Sequence, residues 1–202
     1  KMNNTIKKVE VRDANFFIEK SDFSFLNDFL NRGFSKKSLK VLKSKIFYKN
    51  SEGQIVSFIT IKDILISKDQ LKKENLLISK GKIFNIPFNF EWKFDENSNE
   101  KITKAKMNSL KLKILNTSKK KERFKNLKID FRRSKLNTNY SLKENSILLE
   151  SKNSYLGANK LNYDGKINLE PFDFKINTKI DRFNLKKFLP NKIIFKEVLS
   201  KE

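Results

Sequence analysis

Asp173 and Asp181 stand on the same side of one alternating segment, residues 172–181, and such carboxylates are where acid–base chemistry would have to come from in this chain. There is no His and no Cys among the 202 residues. That removes the commonest general base and metal ligand, the thiolate nucleophile and any disulfide. Ser–Lys chemistry stays formally open. Both aspartates fall on the polar side of the alternation, where a solvated charge is the plainer reading. The sequence therefore predicts no catalytic residue, no metal site and no cofactor.

The charge is the next candidate for chemistry. The chain carries 45 basic and 23 acidic residues, a formal net charge of +22. Only six of the basic residues are Arg, and the rest are Lys. Lys, Asn, Ile and Phe crowd the sequence, a bias that AT-rich codons produce. A strongly basic chain can bind nucleic acid or anionic lipid. Arg reads phosphate and bases better, through its planar fork; Lys beside an anionic head group needs only its charge. The short runs Lys36-Lys37, Lys119-Lys120-Lys121 and Arg132-Arg133 are the nucleic-acid candidates. Single-strand binders interleave basic groups with exposed aromatic rings. Here the aromatics share the apolar side of the alternation and the lysines take the other, so nucleic acid is not the expected partner.

The elements that would position these groups read as strands. Phe88, Phe90, Trp92 and Phe94 alternate with polar residues, and so do Phe172, Phe174, Ile176, Thr178 and Ile180. Leu110, Leu112 and Ile114 form a third stripe, Leu127, Ile129 and Phe131 a fourth, and Leu136, Thr138, Tyr140 and Leu142 a fifth. A period of two predicts antiparallel strands with one apolar and one solvated face. Asn50-Ser51-Glu52-Gly53 predicts a hairpin turn, and 95–100 and 116–122 read as loops. Residues 21–30 predict a short helix capped by Ser21 or Asp22 and ended before Gly33, and 184–189 a helical start interrupted by Pro190. The expected organisation is a lead-in over 1–37 with the short helix, a repeated β region over 38–183, and the start of a following segment over 184–202. No run reaches the roughly 20 apolar residues that span a bilayer as a helix, and no signal peptide opens the chain. Its ends suggest a piece of a longer protein.

One phrase occurs twice. GKIFNIPFNF at 81–90 and GKINLEPFDF at 165–174 share six of ten positions, 84 residues apart. Lys80-Gly81 and Asp164-Gly165 read as turns, Ile83 and Ile167 as strand starts, and Pro87 and Pro171 as edges, bends or bulges, because proline cannot donate to a ladder. Two copies predict two similar β units, as in a repeat array, with Gly81, Pro87, Gly165 and Pro171 as its structural marks.

An apolar sheet face must be buried. With about ten strand candidates and at most two short helices, the helices cannot cover it. Either the sheet folds on itself, or it forms a trough whose lining something else fills. Phe, Leu and Ile would line that trough, and long acyl chains suit it.

The pattern Leu161-x-Tyr163-Asp164-Gly165-Lys166-Ile167-x-Leu169-x-Pro171-Phe172-x-Phe174, followed by Ile180-Asp181-x-x-Asn184-Leu185-x-x-Phe188-Leu189, resembles the AsmA-like family of Gram-negative envelope proteins. The Gly81–Phe90 copy and the Asn50–Ser57 hairpin fit the same pattern, and the resemblance covers about residues 38–189. It implies a long β-groove, apolar inside, that bridges the periplasm from an inner-membrane helix and moves phospholipid toward the outer membrane. That helix is not within this sequence.

The expectation is thus a mostly β fold: an elongated, curved antiparallel sheet forming a groove, with one or two short helices. The expected partner is phospholipid, and the expected lining is Phe88, Phe90, Trp92, Phe94, Leu110, Leu112, Ile114, Phe172, Phe174, Ile176 and Ile180. The alternatives are a structural scaffold or envelope assembly factor with a closed β core, and a basic nucleic-acid-binding β protein.

Overall fold

A computed structural model of the chain describes residues 8–181. The fold is mostly β, with one helix among the described residues. The chain divides between Lys121 and Glu122 into two compact units.

Unit 1 opens with two short strands, β1 (Lys8–Arg12) and β2 (Asn15–Ile18), then helix α1 (Asp22–Asn31). Six longer strands follow: β3 (Ser38–Lys49), β4 (Ile55–Asp69), β5 (Glu74–Ile83), β6 (Ile86–Asp95), β7 (Glu100–Met107) and β8 (Leu112–Lys119). From β3 to β8 each strand pairs antiparallel with the next. β1 and β2 depart from the antiparallel expectation, since both run parallel to β3. The reason is the connection: a parallel neighbour needs a crossover, and α1 supplies it. The described part of the lead-in, 8–37, is therefore joined to the sheet that follows it.

The helix starts and stops close to where the sequence places it. The capping differs from the expectation: Ser21 stands at the N-cap without a side-chain cap hydrogen bond, and Asp22 Oδ2 reaches back to accept the Glu19 N–H at 2.8 Å, while Gly33 takes φ +80 just past the end, the left-handed conformation glycine adopts without penalty.

Unit 2 is a five-strand antiparallel meander: β9 (Lys125–Phe131), β10 (Ser134–Lys143), β11 (Ser146–Leu156), β12 (Asn159–Leu169) and β13 (Phe172–Ile180). Within each unit the strands form a single layer, packed laterally on their ladder neighbours.

The twice-used phrase forms a hairpin each time, but not as read. Gly81 and Gly165 are strand-interior residues of β5 and β12, not turns. Gly81 faces Phe88 across the ladder, and Gly165 faces Ile176. A Cβ on Gly81 would lie 2.2 Å from the Thr60 carbonyl oxygen, and one on Gly165 would lie 2.5 Å from that of Lys175. Both glycines thus admit a close backbone approach, one of the reasons a strand carries glycine. The turns come later and at different places. The first is Phe84-Asn85, both at positive φ, the backbone of a two-residue type I′ hairpin. The second is Glu170-Pro171. So Gly81 is paired seven residues on and Gly165 eleven residues on. Pro171 sits in a turn, whereas Pro87 is the second residue of β6, before the β7 ladder begins at Asn89.

Three further boundaries differ. Leu110 lies in the turn between β7 and β8, with Lys111 beside it at φ 53, so it is not part of the Leu112–Ile114 stripe. The loop expected over 116–122 begins only after Lys119, because Asn116 and Ser118 pair with Thr103 and Lys101. The helical start at 184–189 lies outside the described residues.

Candidate functional site

The candidate site is the apolar face of each unit, and the ladder registers define it. Directly opposed residues of antiparallel strands share a face. In unit 1 one rung reads Val41, Ile64, Ser79, Phe90, Ala105, Ile114, from β3 to β8. The neighbouring rung toward the Asp95 end of β6 reads Ile66, Leu77, Trp92, Thr103, Asn116. The reverse face carries Lys80, Asn89, Lys106 and Lys113 in line. In unit 2 the apolar rungs are Leu142–Ile147–Ile167–Phe174 and Tyr140–Leu149–Gly165–Ile176, backed by rungs such as Lys143–Ser146–Asn168–Asp173.

Of the expected lining, Phe88, Phe90, Trp92 and Phe94 share the unit 1 face with Leu112 and Ile114. Phe172, Phe174, Ile176 and Ile180 share the unit 2 face. Leu110 is not placed with them. Several members were missed: Ile59, Ile61, Ile64 and Ile66 of β4, Leu77 of β5, and Ile147, Leu149 and Ile167 of unit 2. β4 reads IVSFITIKDILISKD, where apolar residues on both faces hide the period of two. Its density of β-branched residues was the available signal.

The two faces differ in cover. In unit 2, Phe172 is 73 % exposed and Phe174 60 % exposed, their rings 6.3 Å apart. In unit 1 the crossover puts α1 and the loop after it above the sheet. Phe34 lies 5.4 Å from Trp92 and 5.2 Å from Phe29, ring centre to ring centre. Trp92 is left 6 % exposed and is therefore core in this structure, not open lining.

A polar latch holds that cover down. The Phe34 N–H donates to Asn75 Oδ1 at 2.6 Å. Asn75, fully buried, donates through Nδ2 to Glu96 Oε1 at 2.8 Å, and Lys68 Nζ donates to the same oxygen at 2.6 Å. The Lys68 hydrogen bond, and after it that from Asn75, holds the Glu96 carboxyl below the usual glutamate range. Buried polar atoms of this kind must be partnered, and here each partner is supplied. Unit 2 has a hydroxyl cluster instead: Ser151 and Ser154 at 2.6 Å, the Asn137 N–H on Ser154 Oγ at 2.8 Å, and Thr138 hydrogen-bonded to Tyr163.

Asp173 lies on β13 and Asp181 just beyond its end, eight residues apart, or roughly 25 Å at strand rise. At that separation they do not form an acid–base pair. No group of three or more acidic, His or Cys residues able to hold a metal occurs among the described residues. No described helix is long and apolar enough to cross a membrane. No protein-family model, curated protein or solved structure matches this chain.

Proposed function

We propose that the chain is a segment of an AsmA-like β-groove protein that binds or conducts phospholipid acyl chains along its apolar sheet faces. In this reading it works in the periplasm, anchored upstream in the inner membrane, and supports assembly of the outer membrane. One observation carries the reading. The rung Leu142–Ile147–Ile167–Phe174 presents hydrocarbon on a single-layer sheet whose other face is polar apart from Leu148, with Lys143, Lys166, Asn168 and Asp173 on it, and at its β13 end the rings of Phe172 and Phe174 stand largely open. Contiguous apolar surface of this kind marks an interaction site. A ladder gives the face no polar backbone, since N–H and C=O groups are spent within the sheet, so an acyl chain meets side-chain hydrocarbon alone. The lysines on the reverse face keep the sheet in water.

A scaffold reading without lipid draws on a different observation, the burial of Trp92 beneath Phe34. There the apolar face of unit 1 is partly ordinary core.

The experiment that separates the two is photo-crosslinking from position 90 or 174 in cells, with lipid extraction of the purified protein. Phospholipid captured at 174 supports the groove. A protein that carries no lipid and captures none at either position supports the scaffold.

A further inference from the structure

The lysine face of unit 1 also carries aliphatic residues, such as Leu65 and Ile78, but its rings are gathered at one place. Among the described strand residues of that face, aromatic rings occur only in the row Phe17, Phe47, Phe58, at the strand ends beside the 50–54 turn. Phe84, in the β5–β6 turn, follows one position beyond the Ile59–Ile83 pair at the end of the same row. Phe84 is 58 % exposed and Phe17 52 % exposed, and Ile55 and Val56 are exposed at the base of the 50–54 turn. Lysines bracket the row. Lys45, Thr60 and Lys82 form the adjacent rung, and Lys49 Nζ sits 4.7 Å above the Phe17 ring. The carboxylates near this end are Glu19, Glu52 and Asp22, whose Oδ2 accepts the Glu19 N–H.

We infer that this strand-end patch docks on the surface of an anionic lipid bilayer, with Phe84, Ile55 and Val56 entering the interface and the lysines meeting the head groups. Stable membrane attachment of a peripheral element takes two signals, a modest apolar insertion and a basic cluster. This patch has both, placed side by side. Phe beside Lys is a combination that interfacial elements use, the ring buried at the head-group boundary. A single-stranded nucleic acid would also seek rings beside cations, but within this row Phe17, Phe47 and Phe58 lie against one another, which leaves the exposed ring of Phe84 as the single one outside that group, too little for a stacking platform. Phe17 and Phe47 stack on each other at 5.3 Å with 19° between planes, and Lys49 caps Phe17. The exposed aliphatic pair at the turn gives a base nothing to stack on. The inference stands apart from the acyl groove, which lies on the opposite face.

The absence of cysteine makes the test clean. An environment-sensitive dye on Phe84→Cys is compared with the same dye on Leu71→Cys, which precedes β5 as Phe84 follows it, at the other end of that strand. With phosphatidylcholine vesicles containing phosphatidylglycerol, the label at 84 shifts to the blue and the shift survives added salt, while the label at 71 stays water-like. Phe58→Ser, and separately the exposed Val56→Ser in case the first variant misfolds, lower the vesicle-bound fraction at high salt about tenfold. Phe174→Glu leaves the shift at 84 intact, so loss of the groove reading and loss of this one are distinguishable. Four outcomes overturn the inference: a label at 84 that stays in water while the protein binds vesicles, equal shifts at 71 and 84, no vesicle binding, and a response at 84 to a single-stranded oligonucleotide but not to vesicles.

Discussion

Unit 1 and unit 2 use the same local device and treat its apolar face in opposite ways. Each has a hairpin built on the shared phrase, and each has a strand-interior glycine that lets a neighbour close in. Unit 1 then lays a crossover helix above its sheet and buries Trp92. Unit 2 adds no helix among its described residues and leaves Phe172 and Phe174 open. The difference shows that alternation in a strand dictates which residues share a face, not whether that face is covered. Cover comes from the parallel β2–α1–β3 connection, which obliges the chain to cross the sheet.

The sharpest break of this comparison is removal of the cover. Phe34→Ala deletes the ring between Phe29 and Trp92 and should destabilise unit 1 by about 3 kcal/mol, the usual scale for a buried Phe truncation. Trp92 is the only tryptophan, so its fluorescence reports unit 1 alone. A red shift with a lower urea midpoint is expected, and an unchanged emission would mean that Phe34 does not shield the ring.

The shared device gives the next effect. Gly81→Ala and Gly165→Ala each place a Cβ against a backbone oxygen, at 2.2 Å and 2.5 Å. Backbone cannot swing aside as a side chain can, so each change should cost about 1–3 kcal/mol, read from denaturation followed by circular dichroism. Similar penalties in both units would show that the phrase has one mechanical meaning despite its different turns. A neutral Gly165→Ala would mean that the second glycine is incidental.

Acid should act on unit 1 through the latch. Glu96 has its carboxyl held low by Lys68 and Asn75. A depressed folded-state value means that the stabilisation is present above the ordinary glutamate range and is lost as the pH falls through the depressed value. Because the side chain is part-exposed, the contribution is within about 1 kcal/mol. Trp92 emission should therefore shift on acidification, and Glu96→Gln should flatten that shift. An identical acid titration in Glu96→Gln would assign it to other carboxylates.

The legibility of the sequence follows the same division. Phe88 to Phe94 and Phe172 to Ile180 were legible as strands because polar residues on one face mark the period. The β4 run was not legible in its facing, because apolar residues occur on both sides. The turn positions in the two phrases were misread because a glycine under a cross-strand neighbour looks, in sequence, like a glycine in a turn. Leu110 was misassigned for a related reason: its spacing from Leu112 fits a strand, but the chain turns over 108–111. The latch of Asn75, Glu96 and Lys68 left no sequence mark, since its members come together only through the β4–β5–β6 registers and the crossover loop. The exposure of the unit 2 face was foreseen only as a shortage of covering elements.

The smallest expected effect on stability tests the comparison most directly. Phe174→Glu puts a carboxylate on a side chain that is already 60 % exposed. Water can solvate it, and the loss is limited to the ring contact with Phe172 at 6.3 Å and the cross-strand pair with Ile167, so the folded state should lose only about 0.5 kcal/mol. Phe90→Glu lies on the partly covered face of unit 1 and should cost more. A solvated carboxylate is harmless only while the face is wet. Once an acyl chain lies along the Leu142–Phe174 rung, the same charge must shed its water into hydrocarbon, which costs several kcal/mol. Crosslinking of phospholipid from a photoreactive residue at position 176, on the adjacent rung, should therefore vanish in Phe174→Glu while the denaturation midpoint stays in place. Full capture of lipid beside an intact Glu at 174 would show that no hydrocarbon passes there, and the open face of unit 2 would then need another occupant.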